Sequence, residues 1–483
     1  MKYVLSIDQS TQGTKAILFD ESGTMICRSD RAHKQIITEN GWVSHDPVEI
    51  YKNLLQSVRD AVEKADVSMD DILCMGISNQ RETTVVWDKE TGEPVCDAIV
   101  WQCSRASKIC RRILDAGYGE LIQSRTGIPV SPFFPASKMA WVIENIPEAK
   151  GKNLCFGTID TWLVYKLTGE YKTDYSNASR TQLLNLNTLS WDEEICNIFG
   201  LKVENLAEVC ASDSLFGMTD LGGMLSNKIA ICAVMGDSHA ALFGQGCLEP
   251  GMAKATYGTG SSVMMNIGQQ AVFSNHGLVT SLAWKRGEIV NYVLEGNINY
   301  TGAVISWLKD DVKLIGSATE VENLAKEANP EDTAYLVPAF TGLGAPYWND
   351  KAKAVLCGIS RLTGKAEIVK AALECIAYQI ADVTKAMESD TGRALGELRT
   401  DGGPTKNSYL MQFQSDILEN SIIVSNAEEL SGIGVAFMAG IAQGVWTESV
   451  LQTVQHKTYY PVMERNVVSE KYNGWLNAVK MVL

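Results

Sequence analysis

The sequence predicts an α/β protein built from two domains that enclose a ligand-binding cleft. The chain has 483 residues, enough for two or three domains, and its 46% hydrophobic and 20% charged residues are ordinary for a globular protein. The third observation is a pattern that occurs in both halves: a strand, a polar turn rich in Gly, Ser and Thr, and a second strand. We therefore predict domains over residues 1–245 and 246–483, which meet in the cleft.

Apolar runs separated by turn residues predict the individual strands and helices. In the first half the predicted strands are residues 3–8, 15–20, 72–78 and 229–235. A helix is predicted over residues 46–64, because Asp46 precedes Pro47 as an N-cap precedes the first helical residue. In the second half we predict strands at residues 253–257 and 293–297, and helices from Ala303, over 367–387, from Ser408 and over 432–444.

Charge and cysteine usage narrow the classes of partner. The net charge of −15 argues against nucleic acid or an anionic membrane as a partner, because both reward clustered Lys and Arg. The first residues are too short and strand-like for a signal peptide, and no stretch of about 18 apolar residues occurs. Twelve scattered cysteines without a CxxC pair predict reduced thiols in a cytoplasmic protein, with neither zinc nor disulfides.

Two glycine-containing turns are candidate phosphate loops. One follows Asp8 at residues 9–14, and the other follows a strand at residues 257–262. Backbone amides in such turns can bind phosphate, and a carboxylate such as Asp8 can hold a hydrated Mg²⁺. Neither is a Walker loop, since GxxxxGK[ST] is absent from the sequence. For the first of them the alternative is an ordinary hairpin turn.

Three further segments carry candidate site residues. In residues 401–407, Gly403 would permit close approach of a nucleoside and Asn407 would hydrogen-bond it; the alternative is a plain strand–helix turn. Adjacent Arg81 and Glu82, with Trp101 nearby, would suit a polyol, whereas the alternative is a surface ion pair beside a core Trp. Asp237 follows the strand at 229–235 and is either a catalytic base or a helix N-cap.

Nine segments of the sequence match a known pattern. They are IDQSTQGTKA, GWVSHDPVEIY, GISNQRETTVVWD, IVWQCSRA, FGTIDTWLVYKLTGEYKTDYSNASRTQLLN, GDSHAALFGQ, TYGTGSSVMMN, VPAFTGLGAPYW and DGGPTKNSYLMQFQSDIL. Together they resemble the FGGY carbohydrate kinases and, among these, most closely the glycerol kinases. The resemblance runs from residue 3 to about residue 446 and includes the first signature of the family at residues 133–141.

The resemblance implies two actin-like (ribonuclease H-like) domains, each with a central mixed five-stranded sheet, that close over Mg²⁺, ATP and a small polyhydroxy substrate. Asp237 would be the general base and, with Asp8, would lie at the metal. The implied substrate contacts are Arg81, Glu82, Trp101, Phe133, Asp237, Ser238 and Ser262. The implied nucleotide contacts are Thr11, Gln12, Lys15, Thr259, Gly260, Gly302, Ser306, Gly403 and Asn407. By analogy the protein would be a homodimer or homotetramer.

Four positions depart from the glycerol kinase pattern. Glycerol kinases carry Gln at Ser238, Tyr at Phe133, Phe at Ser262 and, on the nucleotide side, Gln at Ser306. A larger and more polar pocket favours a substrate with extra hydroxyls, so we predict a polyol or sugar of about four to six carbons. The alternatives are a true glycerol kinase and a catalytically impaired, sugar-sensing regulator. His239 either reaches this pocket or is structural.

Overall fold

The chain contains two large mixed β-sheets. The computed structural model describes residues 2–483. The strands are β1 (Tyr3–Gln9), β2 (Gly13–Phe19), β3 (Met25–Ala32), β4 (Ile36–Ile37), β5 (Val43–His45), β6 (Ile72–Asn79), β7 (Thr84–Asp88), β8 (Ala98–Ile99), β9 (Leu154–Thr158), β10 (Lys172–Asp174), β11 (Leu184–Asn185), β12 (Ser190–Trp191), β13 (Glu208–Cys210), β14 (Gly217–Thr219), β15 (Ile229–Gly236), β16 (Met252–Tyr257), β17 (Ser261–Gly268), β18 (Val279–Arg286), β19 (Ile289–Ile298), β20 (Tyr335–Val337), β21 (Val355–Cys357), β22 (Glu397–Asp401), β23 (Ile422–Ser425) and β24 (His456–Tyr459).

Within residues 2–483 the structure has fourteen α-helices. They are α1 (Pro47–Ala65), α2 (Ser107–Asp115), α3 (Gly119–Thr126), α4 (Pro135–Asn145), α5 (Ile159–Thr168), α6 (Tyr175–Ala178), α7 (Glu193–Ile198), α8 (Asp237–Gly244), α9 (Gly302–Ser306), α10 (Glu320–Glu327), α11 (Lys365–Thr391), α12 (Ser408–Leu418), α13 (Leu430–Ala442) and α14 (Arg465–Lys480). As predicted, α1 is capped by Asp46, whose side chain accepts a hydrogen bond of 2.8 Å from the Val48 amide. The helix predicted from Ala303 is short, because after Ser306 it continues as a π-helical turn over Trp307–Asp311.

The two sheets share one strand arrangement. The first has the order β14-β15-β6-β1-β2-β3, and the second has the order β18-β19-β17-β16-β22-β23-β24. In both, one central strand (β1 or β16) pairs antiparallel with the next strand in sequence and parallel with a later one (β6 or β22). The two-domain α/β architecture is thus confirmed. Each sheet has more than the five strands that the resemblance implies, because β14 extends the first sheet and the edge strands β18 and β24 lie at the two ends of the second.

Helices α8 and α13 lie together between the two sheets. Their apolar residues share one buried cluster with Val4 and Cys74 of the first sheet and with Met264 and Val293 of the second. Helix α13 comes from the second half of the sequence, yet it packs on β1, β6 and β15. The boundary at residue 245 stays a prediction, because the core is continuous across it.

A third, five-stranded sheet with the order β4-β5-β8-β7-β9 also belongs to the first half of the chain. Strand β7 begins directly after the segment with Arg81 and Glu82, and β8 ends two residues before Trp101. This small sheet therefore brings the predicted polyol residues to one side of the cleft. Within residues 2–483, no helix is long and apolar enough to cross a membrane. All twelve cysteines are free thiols, and nine of them are buried.

Candidate functional site

The site is built where parallel strands of each sheet end. In the first sheet β1, β6 and β15 run parallel, and they end at Gln9, Asn79 and Gly236. In the second sheet β16 and β22 run parallel and end at Tyr257 and Asp401. In α/β sheets the carboxyl ends of parallel strands are the usual place for ligand sites. The predicted loops and carboxylates therefore gather at the two edges that face the cleft.

Asp237 is the first residue of α8, and the N-cap of that helix is Gly236. The N-cap hypothesis for Asp237 is therefore wrong. Its carboxylate is about one-third exposed, and Oδ1 lies 3.3 Å from Nε of Arg81. A Cβ on Gly236 would lie 2.8 Å from Cγ of Arg81, so glycine is needed here for Arg81 to pass close to the backbone. An accessible carboxylate held by an arginine is suited to accept a proton from a bound hydroxyl.

Arg81 and Glu82 are members of a buried network of charges. Arg81 is 8% exposed and Glu82 is 3% exposed, so the alternative of a surface ion pair is wrong. Arg81 donates two hydrogen bonds, of 2.9 and 2.8 Å, to the carboxylate of Glu295. Arg180 lies between the two carboxylates: its Nε donates to Glu82 at 2.6 Å and its Nη1 lies 2.8 Å from Glu295.

Glu295 and Arg180 were not identified in the sequence. Burial acts to raise the pKa of Glu295, but the charges of Arg180 and Arg81 outweigh it and hold the pKa well below its usual range. The carboxylate therefore stays ionised although it is fully buried. The sequence does contain one signal for Glu295, which is the single acidic residue in the apolar strand segment VLEGN. A charge inside a buried strand needs a partner.

Asp8 lies at the end of β1 in a second cluster of charges. Burial raises its pKa to about 6, and the charges of Asp237 and Glu429 add to this effect, while Lys15 opposes it. Nζ of Lys15 is 3.6 Å from Asp8 and 2.6 Å from Glu429, the N-cap residue of α13. Lys15, predicted to lie in the first phosphate loop, is thus in β2 and bridges two carboxylates.

A hydrogen bond joins the first candidate phosphate turn, residues 9–14, to the aromatic wall, by which we mean Trp101 and Phe133 on the side of the cleft predicted to bind the acceptor. Nε1 of Trp101 donates to Oγ1 of Thr11 at 3.0 Å, and the rings of Trp101 and Phe133 are 5.3 Å apart. Gln12 is exposed at the tip of the turn. The structure therefore places the predicted phosphate residue Thr11 beside two of the predicted substrate residues.

Lys138 of α4 contacts the backbone next to this aromatic wall. Its fully buried ammonium donates to the carbonyl oxygens of Glu82, at 3.4 Å, and of Phe133. Burial lowers the pKa of Lys138 to about 7, and the charge of Glu82 opposes that effect. Glu82 has a φ of 61°, a left-handed conformation that costs energy for a residue other than glycine. The lysine thus contacts the backbone at the strained position.

Ser238 and Ser262, two of the positions that depart from the glycerol kinase pattern, are both partly exposed. Ser238 is half-buried, and its amide donates to Oδ1 of Asp237 at 2.6 Å. Ser262 directs its hydroxyl to Glu295, donating a hydrogen bond of 3.0 Å. His239 is fully buried with Nε2 3.5 Å from the hydroxyl of Ser281, and burial holds its pKa well below the usual value. We therefore interpret His239 as a structural side chain.

The second turn packs against the start of α9. The amides of Gly302 and Ala303 donate to the carbonyl oxygens of Gly258 and Thr259, at 2.9 and 3.0 Å. A Cβ on Gly260 would lie 2.4 Å from the carbonyl oxygen of Ile298. Thr259 is exposed at the tip, whereas the backbone on both sides of it is held in place. This turn is a rigid backbone surface that faces the cleft.

A cavity of about 560 Å³ lies next to this second turn. Four of the predicted nucleotide contacts line it together: Gly302, Ser306, Gly403 and Asn407. Its walls include the apolar side chains of Ile305, Val321, Leu373, Ile376 and Leu410. Asn407 is also the N-cap of α12, where Oδ1 accepts a 3.0 Å hydrogen bond from the Leu410 amide. Its size and apolar lining are typical of a cavity that binds a small molecule such as a nucleoside.

Comparison with known proteins agrees with this arrangement. The family models for the N-terminal and C-terminal domains of the FGGY family of carbohydrate kinases match residues 3–244 and 253–443. A protein named glycerol kinase 1 from Thermotoga maritima is 46% identical over 490 residues, covering 100% of this chain and 99% of the relative. A glycerol kinase from Francisella philomiragia is 45% identical, covering 99% and 98%.

A solved structure resembles the whole chain as well. The crystal structure of Plasmodium falciparum glycerol kinase with ADP has a TM-score of 0.95 and 36% sequence identity. The match covers 100% of this chain and 98% of that protein. Both halves and their relative arrangement are therefore shared with that structure.

Proposed function

The chain belongs to the FGGY family of carbohydrate kinases, and from this membership we propose that it transfers the γ-phosphoryl group of ATP to a primary hydroxyl of glycerol. It is a phosphotransferase of a family that uses ATP with Mg²⁺. Full-length relatives named glycerol kinase, at 46% and 45% identity, favour glycerol over the longer substrate that we predict from the pocket residues. The observation that carries the proposal is the contact of 3.3 Å between Arg81 and an accessible Asp237.

In the proposed reaction Asp237 is the general base. The acceptor hydroxyl loses its proton to the carboxylate as its oxygen bonds to phosphorus, and the bond from phosphorus to the leaving oxygen of ADP breaks. Arg81 supports this role, because its Nε faces Oδ1 of Asp237 while its other nitrogens are fixed on Glu295. Trp101 and Phe133 would cover the CH groups of the acceptor and exclude water.

Asp8 and Asp237 are the residues that would hold Mg²⁺. Their carboxylates interact, since the charge of Asp237 contributes to the raised pKa of Asp8. This fits the ion, because Mg²⁺ is usually bound by one or two carboxylates together with water and substrate phosphates. When bound, the ion neutralises phosphate charge. Among residues 2–483, no cluster of three or more His, Cys, Asp or Glu side chains has the arrangement of a metal site.

The nucleotide would lie along the second sheet. The 560 Å³ cavity with Ser306, Gly403 and Asn407 would take the nucleoside, and the turn with Thr259 and Gly260 would face the phosphates. Thr11 and Gln12 would approach the phosphates from the other side of the cleft. Lys15 is held by Asp8 and Glu429, so its role would be to fix the metal-binding carboxylate.

A longer polyol or a sugar is the second candidate. It is favoured by Phe133, Ser238 and Ser262, where the glycerol kinase pattern has Tyr, Gln and Phe. Smaller side chains at two of these positions would leave room for additional hydroxyl groups. The hydroxyl of Ser262 is already bonded to Glu295, however, which leaves Ser238 as the position most able to contact extra hydroxyls.

One assay separates these candidates. Acceptor-dependent release of ADP would be measured with glycerol, erythritol, pentitols and ketoses, and kcat/KM compared. We expect glycerol to be preferred by more than about tenfold, a margin of about 1.4 kcal/mol. A longer acceptor that is preferred by that margin would contradict the proposal and support the second candidate. Absence of acceptor-dependent turnover would support the catalytically impaired regulator instead.

A further inference from the structure

Glu295 is the point at which the acceptor side of the cleft is tied to the second sheet. The residue is fully buried in β19, and both of its carboxylate oxygens are engaged. Oε1 accepts from Nη2 of Arg81 at 2.8 Å and from Oγ of Ser262 at 3.0 Å, and Oε2 accepts from Nη1 of Arg81 at 2.9 Å. Arg180 completes the set with Nη1 at 2.8 Å. The carboxylate thus fixes two guanidinium groups at once.

These guanidinium groups in turn fix the acceptor residues. Two nitrogens of Arg81 are held by Glu295, and Nε is thereby aimed at Asp237. Arg180 donates through Nε to Glu82, whose backbone has the strained φ of 61°. Strained conformations persist only where the surroundings determine them strongly. Removing Glu295 would release both Arg81 and the side chain of Glu82.

The network crosses from one half of the molecule to the other. Glu295 and Ser262 belong to β19 and β17 of the second sheet, whereas Arg81, Glu82 and Arg180 lie in the first half. The predicted nucleotide residues belong mainly to the second half. Glu295, with its three partners, is therefore an electrostatic contact between the two halves. Through this contact, a change in the relative position of the halves would move the acceptor residues. Breaking such a pair leaves an uncompensated buried charge, which is costly.

We propose that Glu295 is a positioning residue that sets the affinity for the acceptor from the opposite half of the protein, and that Ser262 acts through Glu295 instead of contacting the acceptor. This inference rests on the proposed function. It changes the interpretation of Ser262, for which the resemblance implies a direct contact with the substrate. The geometry makes its hydroxyl a support for the carboxylate that orients Arg81.

The first test is the Glu295→Gln variant of the full-length protein, with the preferred acceptor of the parent protein. Gln turns one acceptor oxygen into a donor that faces arginine, so the KM for the acceptor should rise by about 30-fold or more. The KM for ATP should stay within about twofold, since a nucleotide bound along the second sheet does not contact the network. The control is Glu397→Gln, which alters a half-exposed ion pair with Arg399 on the same sheet and should change neither KM.

A second pair of variants keeps the test decisive if Glu295→Gln fails to fold. Ser262→Ala removes the hydroxyl and should raise the acceptor KM by about fivefold, and Ser262→Thr should restore it because the hydroxyl is kept. The inference would be overturned by equal changes in the two KM values, or by an unchanged acceptor KM in both Glu295→Gln and Ser262→Ala. In either case the proposed function would still stand if the parent protein shows acceptor-dependent turnover. A parent protein without acceptor-dependent turnover would overturn both.

Discussion

The two sides of the cleft differ in how they are built for recognition. On the acceptor side Arg81, Glu82, Arg180 and Glu295 are all buried and paired with one another. On the nucleotide side charged residues at the 560 Å³ cavity, such as Lys309 and Lys406, are exposed, its wall is formed by aliphatic side chains, and the second turn offers backbone. Charged side chains in fixed positions discriminate between hydroxyl patterns, whereas backbone and aliphatic surfaces recognise shape. Changes on the two sides should therefore affect different kinetic constants.

The largest effect is expected at Asp237, where the two sides meet. Asp237→Asn keeps the size of the side chain but cannot accept the hydroxyl proton, so kcat should fall by about 10²- to 10⁴-fold. The value of kcat is measured as acceptor-dependent release of ADP with both substrates at saturating concentration. An unchanged kcat would show that Asp237 is not the base. Asp71→Asn is a control, because Asp71 is partly exposed and pairs with Lys2 at 3.2 Å, just before β6 begins.

The next effect isolates the nucleotide side. In Gly260→Ala the new Cβ would lie 2.4 Å from the carbonyl of Ile298, so the second turn must shift, at a cost of about 1–3 kcal/mol. We expect the KM for ATP to rise about tenfold with the acceptor KM unchanged. The matched variant is Gly403→Ala, since no atom lies within 4 Å of a Cβ at Gly403 and the unfolding midpoint should not move. If the unfolding midpoint falls equally in Gly260→Ala and Gly403→Ala, the close contact at Gly260 is not the cause of the effect.

Lys138, on the acceptor side, should make the stability of the protein depend on pH. Burial lowers the pKa of Lys138 to about 7, below the value of about 10.4 in an unfolded chain. Between these two values the unfolded chain binds more protons, so this group makes the free energy of unfolding increase with pH by at most about 1.4 kcal/mol per pH unit. Below about pH 7 both states are protonated and this contribution to the slope vanishes.

Urea unfolding of Lys138→Met at about pH 6, about pH 8 and about pH 9 should show a smaller increase with pH than the parent protein. The exposed Lys202 provides a control, since Lys202→Met should leave the slope of the parent protein unchanged. A slope in Lys138→Met equal to that of the parent would mean that another group titrates in this range.

The smallest effect concerns the end of α12 at the nucleotide cavity. Asn407→Ala removes the cap that accepts from the Leu410 amide and should lower the free energy of unfolding by about 1 kcal/mol. Asn407→Asp keeps an acceptor oxygen and should retain most of that stability. If Asn407 also contacts the nucleotide, as proposed, the KM for ATP should rise in both variants. If the KM for ATP rises only in Asn407→Ala, the variant that loses stability, Asn407 acts as a helix cap alone.

Local patterns in the sequence predict the elements that depend on local forces. Residues 3–8 and 253–257 are strands because their apolar runs are bounded by turn residues, and Asp46 caps α1 through its neighbour at Val48. Local patterns predict some of the candidate site residues, such as Asp8, Arg81 and Asp237, and the resemblance adds the others. The structure brings most of them to one cleft. Their catalytic and binding roles, the oligomeric state and the cytoplasmic location stay predictions.

Pairings between distant parts of the chain could not be predicted in this way. Arg81 and Glu295 are separated by 214 positions, and Lys15 and Glu429 by 414. No periodicity or spacing relates such residues, because their contact is produced by the packing of one half on the other. The sequence therefore predicts that Lys15 binds phosphate and Ser262 lines the pocket, whereas in the structure both side chains are bonded to carboxylates.

The position of α13 between the sheets has a consequence for how the protein is synthesised. Its residues 430–442 cover one face of β1, β6 and β15, although the chain must reach them nearly 200 residues after β15 ends at Gly236. At the closest approach, a Cβ on Gly434 would lie 1.8 Å from the carbonyl oxygen of Ala240, so the fit between α13 and α8 tolerates no larger residue. While the ribosome is still making the second half, the first sheet is without this cover. The first half reaches its final packing only when the chain is almost complete.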